Sequence, residues 1–304
     1  MAWEHAFDQW AAQNLPGLTI AAEEPMSRHT SFRIGGPARR MAFPQTLEEV
    51  TALMAAAQDL GARPFILGNG TNLLAPDEGL DRLVVSLSDL KNITAGEGNT
   101  LTAEAGVTLA RLADTACQLG LAGLEFAHGI PGSLGGAVYM NGGAYGGEMS
   151  QVVETVTAWF PGAGLRTMAV SELDMGYRHS CFMDHPGAVI LSATVRLQKG
   201  ESDTIRAAMR ELMARRKVSQ PLEWPSAGST FKRPTGYFAG TLIDQCGLKG
   251  LTIGGARVSE KHAGFIINIG GATSADVEAL IAEVQRLVAE KTGVRLEPEV
   301  RIIR

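Results

Sequence analysis

Ser229 sits in PSAGSTFKRP (225–234), with Gly228 before it and Lys232 and Arg233 after it. A hydroxyl among small residues, followed by two cations, would seat an anionic substrate against a proton donor. An ordinary turn has the same composition. Arg178 lies in YRHSCF (177–182) between strand-like stretches. A lone arginine there reads by itself as a surface ion pair. In VRLEPEVRIIR (294–304), strand alternation puts Arg295, Glu297, Glu299 and Arg301 on one face. Val294, Leu296, Val300 and Ile302 fall on the other. Two carboxylates on one face allow acid chemistry, and spacing does not choose between Glu297 and Glu299. His29, His128 and His262 lie near glycine or hydroxyl residues without metal-ligand spacing, so no metal is expected.

Bare backbone offers a second kind of chemistry. GNGTNLL (68–74) follows an apolar run, and GIPGSLGGAVYMNGGAYGGE (129–148) carries a single charge, Glu148. Glycine permits φ > 0 and close approach of a ligand. Successive exposed N–H groups make anion-binding nests. Tight turns and close chain packing would account for one such loop. Two loops with Ser, Thr or Asn interleaved point to a phosphate-bearing ligand. GNGTNL lacks the third glycine of GxGxxG, which weakens a Rossmann reading, and no GxxxxGK[ST] occurs. Pro131 stands where a nucleophile elbow around Ser133 needs glycine, so a hydrolase fits poorly.

Composition narrows the classes further. A chain of 304 residues, 45% hydrophobic, is long enough for two or three globular domains. A net charge of −5 with scattered basic residues gives no case for nucleic acid or an anionic membrane. Glu4 and Asp8 interrupt any signal-peptide core, and no apolar run is long enough to span a bilayer. Three cysteines without CxxC spacing read as reduced thiols of a cytoplasmic protein. No obligatory protein partner is evident.

The elements that must position these residues alternate along the chain. TLEEVTALMAAAQDLG (46–61) predicts a helix with a Thr46/Glu49 capping box and Gly61 at its end. PFIL (64–67) reads as a buried strand, and VTLARLADTACQLG (107–120) as a second helix. VVETVTAWF, LRTMAV and AVILSATVRL read as strands between 150 and 198. The helix TIRAAMRELMARRK (204–217) follows. Beyond it come a short helix near GTLIDQCG, strands in LTIGGARVS and GFIINIG, and a long helix from Ser274. Its apolar stripe is Val277, Leu280, Ile281, Val284, Leu287 and Val288, and the closing segment reads as a strand. The mixture is α+β with a boundary near residue 200.

HTSFRIGGPA (29–38), ILGNGTNLL (66–74), the 129–148 stretch, YRHSCF, PSAGSTFKRP, GARVSEKHAGFIIN (255–268) and LEPEVRII (296–303) occur in this order. Together they resemble the UDP-N-acetylenolpyruvoylglucosamine reductase family over nearly the whole chain. The resemblance implies an FAD-binding domain of the vanillyl-alcohol-oxidase type, made of two α+β subdomains, and a C-terminal α+β substrate-binding domain. The expected boundaries are 1–200, split near 80, and 201–304, with the last strand returning to the active site.

It also implies FAD as bound cofactor, NADPH as hydride donor and an enolpyruvyl UDP-sugar as substrate. FAD would rest on Gly68, Asn69, Gly70, Thr71, Asn72 and Leu73, and on Ile130, Pro131, Gly132, Ser133, Gly136, Gly143 and Ala144. Ser229 would be the proton donor, Arg178 would bind the substrate carboxylate, and Glu299, directly before VR, would be the third catalytic residue. Lys232, Arg233 and His262 would contact the substrate. The short span between Arg178 and Ser229 matches the subgroup without a tyrosine-bearing loop. Two other classes stay open: a flavin oxidase of the same superfamily using oxygen, and a non-enzymatic flavin or sugar-nucleotide binder.

Overall fold

The computed structural model describes residues 3–304. They divide into two compact units. The first takes the chain up to Ala22, Arg39–Asn69 and Arg82–Arg215; the second takes Glu23–Ala38, Gly70–Asp81 and Arg216–Arg304. The helices are α1 (Trp3–Asn14), α2 (Leu47–Asp59), α3 (Leu109–Gln118), α4 (Leu134–Tyr139), α5 (Ser202–Ser219), α6 (Ala239–Gln245) and α7 (Ser274–Thr292).

In the first unit α2 leads into the short strand Phe65–Leu67, which pairs in parallel with Leu80–Ser86. Thr46 caps α2 by accepting the Glu49 N–H at 3.1 Å. The Glu49 carboxylate takes the Gln45 N–H at 2.6 Å rather than that of Thr46, so the expected capping box is half formed. Gly61, at φ 68°, closes the helix in the left-handed region that favours glycine. The larger sheet is antiparallel throughout, in the order Gly164–Ala169, Val153–Phe160, Val189–Arg196, Thr100–Glu104, Ile93–Ala95. Its β-branched residues Val153, Val156, Val189 and Val195 are buried, and α4 packs on its central strand Val189–Arg196. Cys117 and Cys181 are buried here as free thiols. Burial, then the carboxylates of Asp174 and Asp184, pushes the Cys181 thiol up.

The second unit is built on the antiparallel sheet Ser226–Ser229, Phe265–Asn268, Ala256–Val258, Thr252–Ile253. α7 buries Val277, Leu280, Ile281, Val284 and Val288 in a core shared with Leu242, Ile243, Val258 and Ile266. Each such side chain contributes about 1.5–3 kcal/mol on burial, so this stripe, not propensity, holds the helix. Thr273 and Asp276 form the capping box that starts α7, and Gly293 at φ 74° ends it. Backbone N–H groups of Thr273 and Gly255 hold the Asp276 carboxyl below the usual range. Asp77, from the 70–81 segment, accepts the Ser274 N–H at 2.8 Å and the Ser274 hydroxyl at 2.9 Å. Cys246 is the buried thiol of this unit.

One expectation fails. The closing segment is a strand only over Arg301–Ile302, parallel to Leu73–Leu74. Pro298 has no N–H to donate, and the Glu299 and Val300 N–H groups both turn to the Thr230 carbonyl, at 2.8 and 3.4 Å. The alternation survives as burial: Leu296 and Val300 are inside, Arg295 and Glu297 outside.

Candidate active site

The two glycine loops touch within the first unit. Asn69 Nδ2 donates to the Pro131 carbonyl at 3.2 Å, and a Cβ at Gly68 would meet Ser133 Oγ. Ser133 occupies the N-cap of α4, yet its side chain caps nothing. Its hydroxyl is buried without a hydrogen-bond partner. A buried orphan hydroxyl costs about 1–3 kcal/mol unless something else satisfies it. Gly135 and Gly136 then part ways. Gly135 is buried, and a Cβ there would lie 2.8 Å from Ala105 Cβ. Gly136 is exposed, and a Cβ there would meet nothing closer than Ser133 Oγ at 3.5 Å. An orphan hydroxyl beside an open glycine face is what a closely approaching phosphate-bearing cofactor needs. The residues present therefore fit FAD.

Gly143 and Gly147 are closely packed. Gly143–Ala144 pairs with Gly147–Glu148 in a hairpin whose tip is Tyr145 (φ 55°) and Gly146 (φ 87°). A Cβ on Gly143 would crowd Glu148, and one on Gly147 the Phe126 ring. Ile130 N–H bonds the Ala127 carbonyl, and the Gly132 carbonyl accepts from Leu109 N–H, fixing the loop between them. Arg178 Nη2 donates to the Gly143 carbonyl at 3.4 Å, and the guanidinium lies 5.1 Å from the Tyr177 ring centroid.

GNGTNLL is divided. Gly68 and Asn69 belong to the first unit, and Gly70, Thr71, Asn72 and Leu73 to the second. Gly70 (φ 60°) packs against the His29 carbonyl, leaving no room for a side chain. Asn72 Nδ2 donates to the Glu299 carbonyl at 3.0 Å, and its own carbonyl accepts from Arg301 N–H. Asn72 thus fixes the backbone that carries Glu299, a task its place in a glycine loop did not announce.

Ser229 ends the strand Ser226–Ser229 and is exposed. Gly228 at φ 75° accompanies a register shift before it, which re-aims the strand end. The next residue, Thr230, accepts the Glu299 N–H, so Ser229 and Glu299 stand on directly tied backbones. Phe231 bridges Pro298. Lys232 Nζ pairs with Glu297 Oε1 at 2.6 Å. Glu297 is thus engaged by a lysine. Arg233 stacks on Phe238, 3.7 Å from the ring centroid. His262 Nδ1 accepts the Gly264 N–H at 3.1 Å, and its ring packs edge-on to Phe265. Burial first, then Lys249, pushes the imidazole pKa down. Among the described residues, no group of three His, Cys, Asp or Glu side chains could hold a metal ion, and no helix is long and apolar enough to cross a membrane.

Residues 38–167 match an FAD binding domain, and residues 220–303 match the C-terminal domain of UDP-N-acetylenolpyruvoylglucosamine reductase. The chain is a flavin-dependent oxidoreductase: an FAD-binding domain of the vanillyl-alcohol-oxidase type followed by a second α+β domain. UDP-N-acetylenolpyruvoylglucosamine reductase of Lactiplantibacillus plantarum is 48% identical over 288 residues, 95% of each chain. That of Caldanaerobacter subterraneus is 49% identical over 92% of each. The crystal structure of the Thermus caldophilus reductase aligns with TM-score 0.78 at 34% identity, covering 94% of this chain and 99% of that one. The BBE-like 1 protein of Physcomitrella patens, at 18% identity and TM-score 0.52 over 64% of this chain and 44% of its own, shares the fold alone. The chain belongs to the UDP-N-acetylenolpyruvoylglucosamine reductase family.

Proposed function

We propose that this protein catalyses the NADPH-dependent, FAD-mediated reduction of UDP-N-acetylglucosamine enolpyruvate to UDP-N-acetylmuramate, a cytoplasmic step of peptidoglycan precursor synthesis. The observation that supports the reading is the Thr230–Glu299 backbone hydrogen bond, which ties the segment carrying the exposed Ser229 to the segment carrying Glu299. Ser133, Gly136, Gly68 and Asn69 would hold FAD. When bound, FAD accepts a hydride from NADPH and supplies one to the vinyl carbon of the substrate.

Ser229 Oγ then gives its proton to the adjacent carbon. A serine is a weak acid, but an enolate carbon is strongly basic, and the Arg178 guanidinium, holding the substrate carboxylate in a planar fork, stabilises the charge that develops. Being exposed, Ser229 recovers its proton from water. Glu299 supplies the acid–base group beside it. Lys232, Arg233 and His262 contact the sugar nucleotide.

The purified protein should be yellow with flavin absorption bands, and should oxidise NADPH when the enolpyruvyl sugar nucleotide is added. Its reduced form should react slowly with oxygen. Fast oxygen consumption without substrate turnover would replace the reading with an oxidase, and bound flavin without NADPH oxidation would replace it with a binding protein.

A further inference from the structure

Arg178 adopts the left-handed conformation, φ 55°. For a side chain with a Cβ this costs about 1–2 kcal/mol. Glycine at this position would avoid the cost. Such outliers persist where the surroundings over-determine them.

The surroundings here are two buried side-chain clamps, one on each side. Gly176 and His179 first close the turn by exchanging backbone hydrogen bonds of 3.2 Å. Two residues before Arg178, the Gly176 carbonyl accepts from Asn141 Nδ2 at 3.0 Å. Two residues after it, Ser180 Oγ donates to the Tyr139 carbonyl at 2.7 Å. Asn141 and Ser180 are both fully buried, at 0% exposure. Asn141 is itself left-handed, φ 43°. Its Nδ2 also donates to Glu148 Oε1 at 3.2 Å, and its Oδ1 accepts the Ser150 N–H at 2.9 Å. Ser150 Oγ closes the loop on Glu148 at 2.6 Å. A fully satisfied buried network of this kind is rigid, whereas one lost member leaves its partners desolvated and unpaired. Tyr139 and Asn141 flank the C-terminal end of α4, so the turn is pinned to that helix at both of its edges.

The geometry points to Asn141 and Ser180 as positioning residues for Arg178: they hold its backbone in the strained conformation from which the guanidinium meets the substrate carboxylate. This rests on the reading of Arg178 given above. Neither residue touches substrate; both act through the turn.

The test is a cycle on the flavin-loaded enzyme. Ser180→Ala removes one oxygen and little volume. Asn141→Asp keeps the shape, the left-handed tolerance and the acceptor for Ser150, but loses both donated bonds. Ser180→Ala should raise KM for the enolpyruvyl sugar nucleotide roughly five- to tenfold, the worth of one buried hydrogen bond, and Asn141→Asp by more, since it loses two and sets a carboxylate against that of Glu148. Flavin content and flavin reduction by NADPH should stay within twofold of wild type. Trypsin should cut after Arg178 sooner in both variants, whether or not substrate is present. In an Arg178→Ala background, Ser180→Ala should change KM less than twofold. An equal effect in both backgrounds would make the clamp purely structural, and unchanged KM and proteolysis in Ser180→Ala would remove it. An Arg178→Ala enzyme with wild-type KM and turnover would instead overturn the role of Arg178 itself.

Discussion

Gly135 and Gly136 are sequence neighbours in α4 with opposite surroundings, and that contrast yields a sharp experiment on cofactor binding. In Gly136→Ala the new Cβ meets only Ser133 Oγ at 3.5 Å, an ordinary contact. Nothing in the protein then offsets the usual helical preference of alanine over glycine, about 0.5–1 kcal/mol. The apoprotein should become slightly more stable, by about 2 °C in Tm or less for a chain this long. The flavin should respond in the opposite direction. A methyl group on a face that a ligand must approach closely costs about 1–3 kcal/mol of overpacking. That is a roughly 5- to 150-fold weaker Kd. Gly135→Ala is the control: its Cβ would lie 2.8 Å from Ala105 Cβ, so the apoprotein itself should lose about 1–3 kcal/mol. Thermal melts of apo and FAD-loaded protein, with an FAD titration followed by fluorescence, separate the cases. Wild-type FAD affinity in Gly136→Ala would refute the assignment of this face to the cofactor.

Arg178→Lys keeps the charge and loses the planar fork, so reoxidation of reduced flavin by substrate should slow while reduction by NADPH does not; equal loss in both half-reactions would move Arg178 out of the substrate site. Ser229→Ala should slow the same reoxidation by roughly 10²- to 10⁴-fold in stopped-flow absorbance, with Ser229→Cys retaining more than alanine. His262 has its pKa depressed by burial, so the unfolded chain binds the extra proton first. Stability should therefore be full above about pH 6.5 and fall as pH drops from there to the folded value. Tm against pH should show that slope in wild type and a flatter one in His262→Asn, and identical slopes would exclude His262 as its source.

Local signals carried through to the structure where the physics was local. Thr46 and Gly61 mark the ends of α2 by side-chain capping and backbone handedness, both read from a few residues; Thr273 and Gly293 do the same for α7 but were not read from the sequence. The α7 stripe was legible because one periodic face meets one core. Pro298 defeated the closing strand because alternation records which side is buried, not whether a ladder forms. Long-range ties were not legible at all. That 23–38 and 70–81 fold with 216–304 depends on contacts such as Asp77 to Ser274, which no short window contains. The glycine stretch gave composition but not assignment: only the neighbours of each Cα separate Gly136 from Gly135 and Gly143. Asn141 offered one faint cue, an asparagine before two glycines, which suits a left-handed position but says nothing of Gly176.

The three thiols divide two to one, Cys117 and Cys181 in the first unit and Cys246 in the second. All are buried, and Cys117 Sγ donates to the Ser202 carbonyl at 3.4 Å. Alkylating reagents must reach the sulfur, so a covered native thiol reacts only during transient opening. Isotopically paired alkylators, read by peptide mass, would therefore clock the opening of each unit separately in the unaltered chain. A denaturant series of such pulses would report whether the two units melt as one cooperative body or in sequence, with no engineered label.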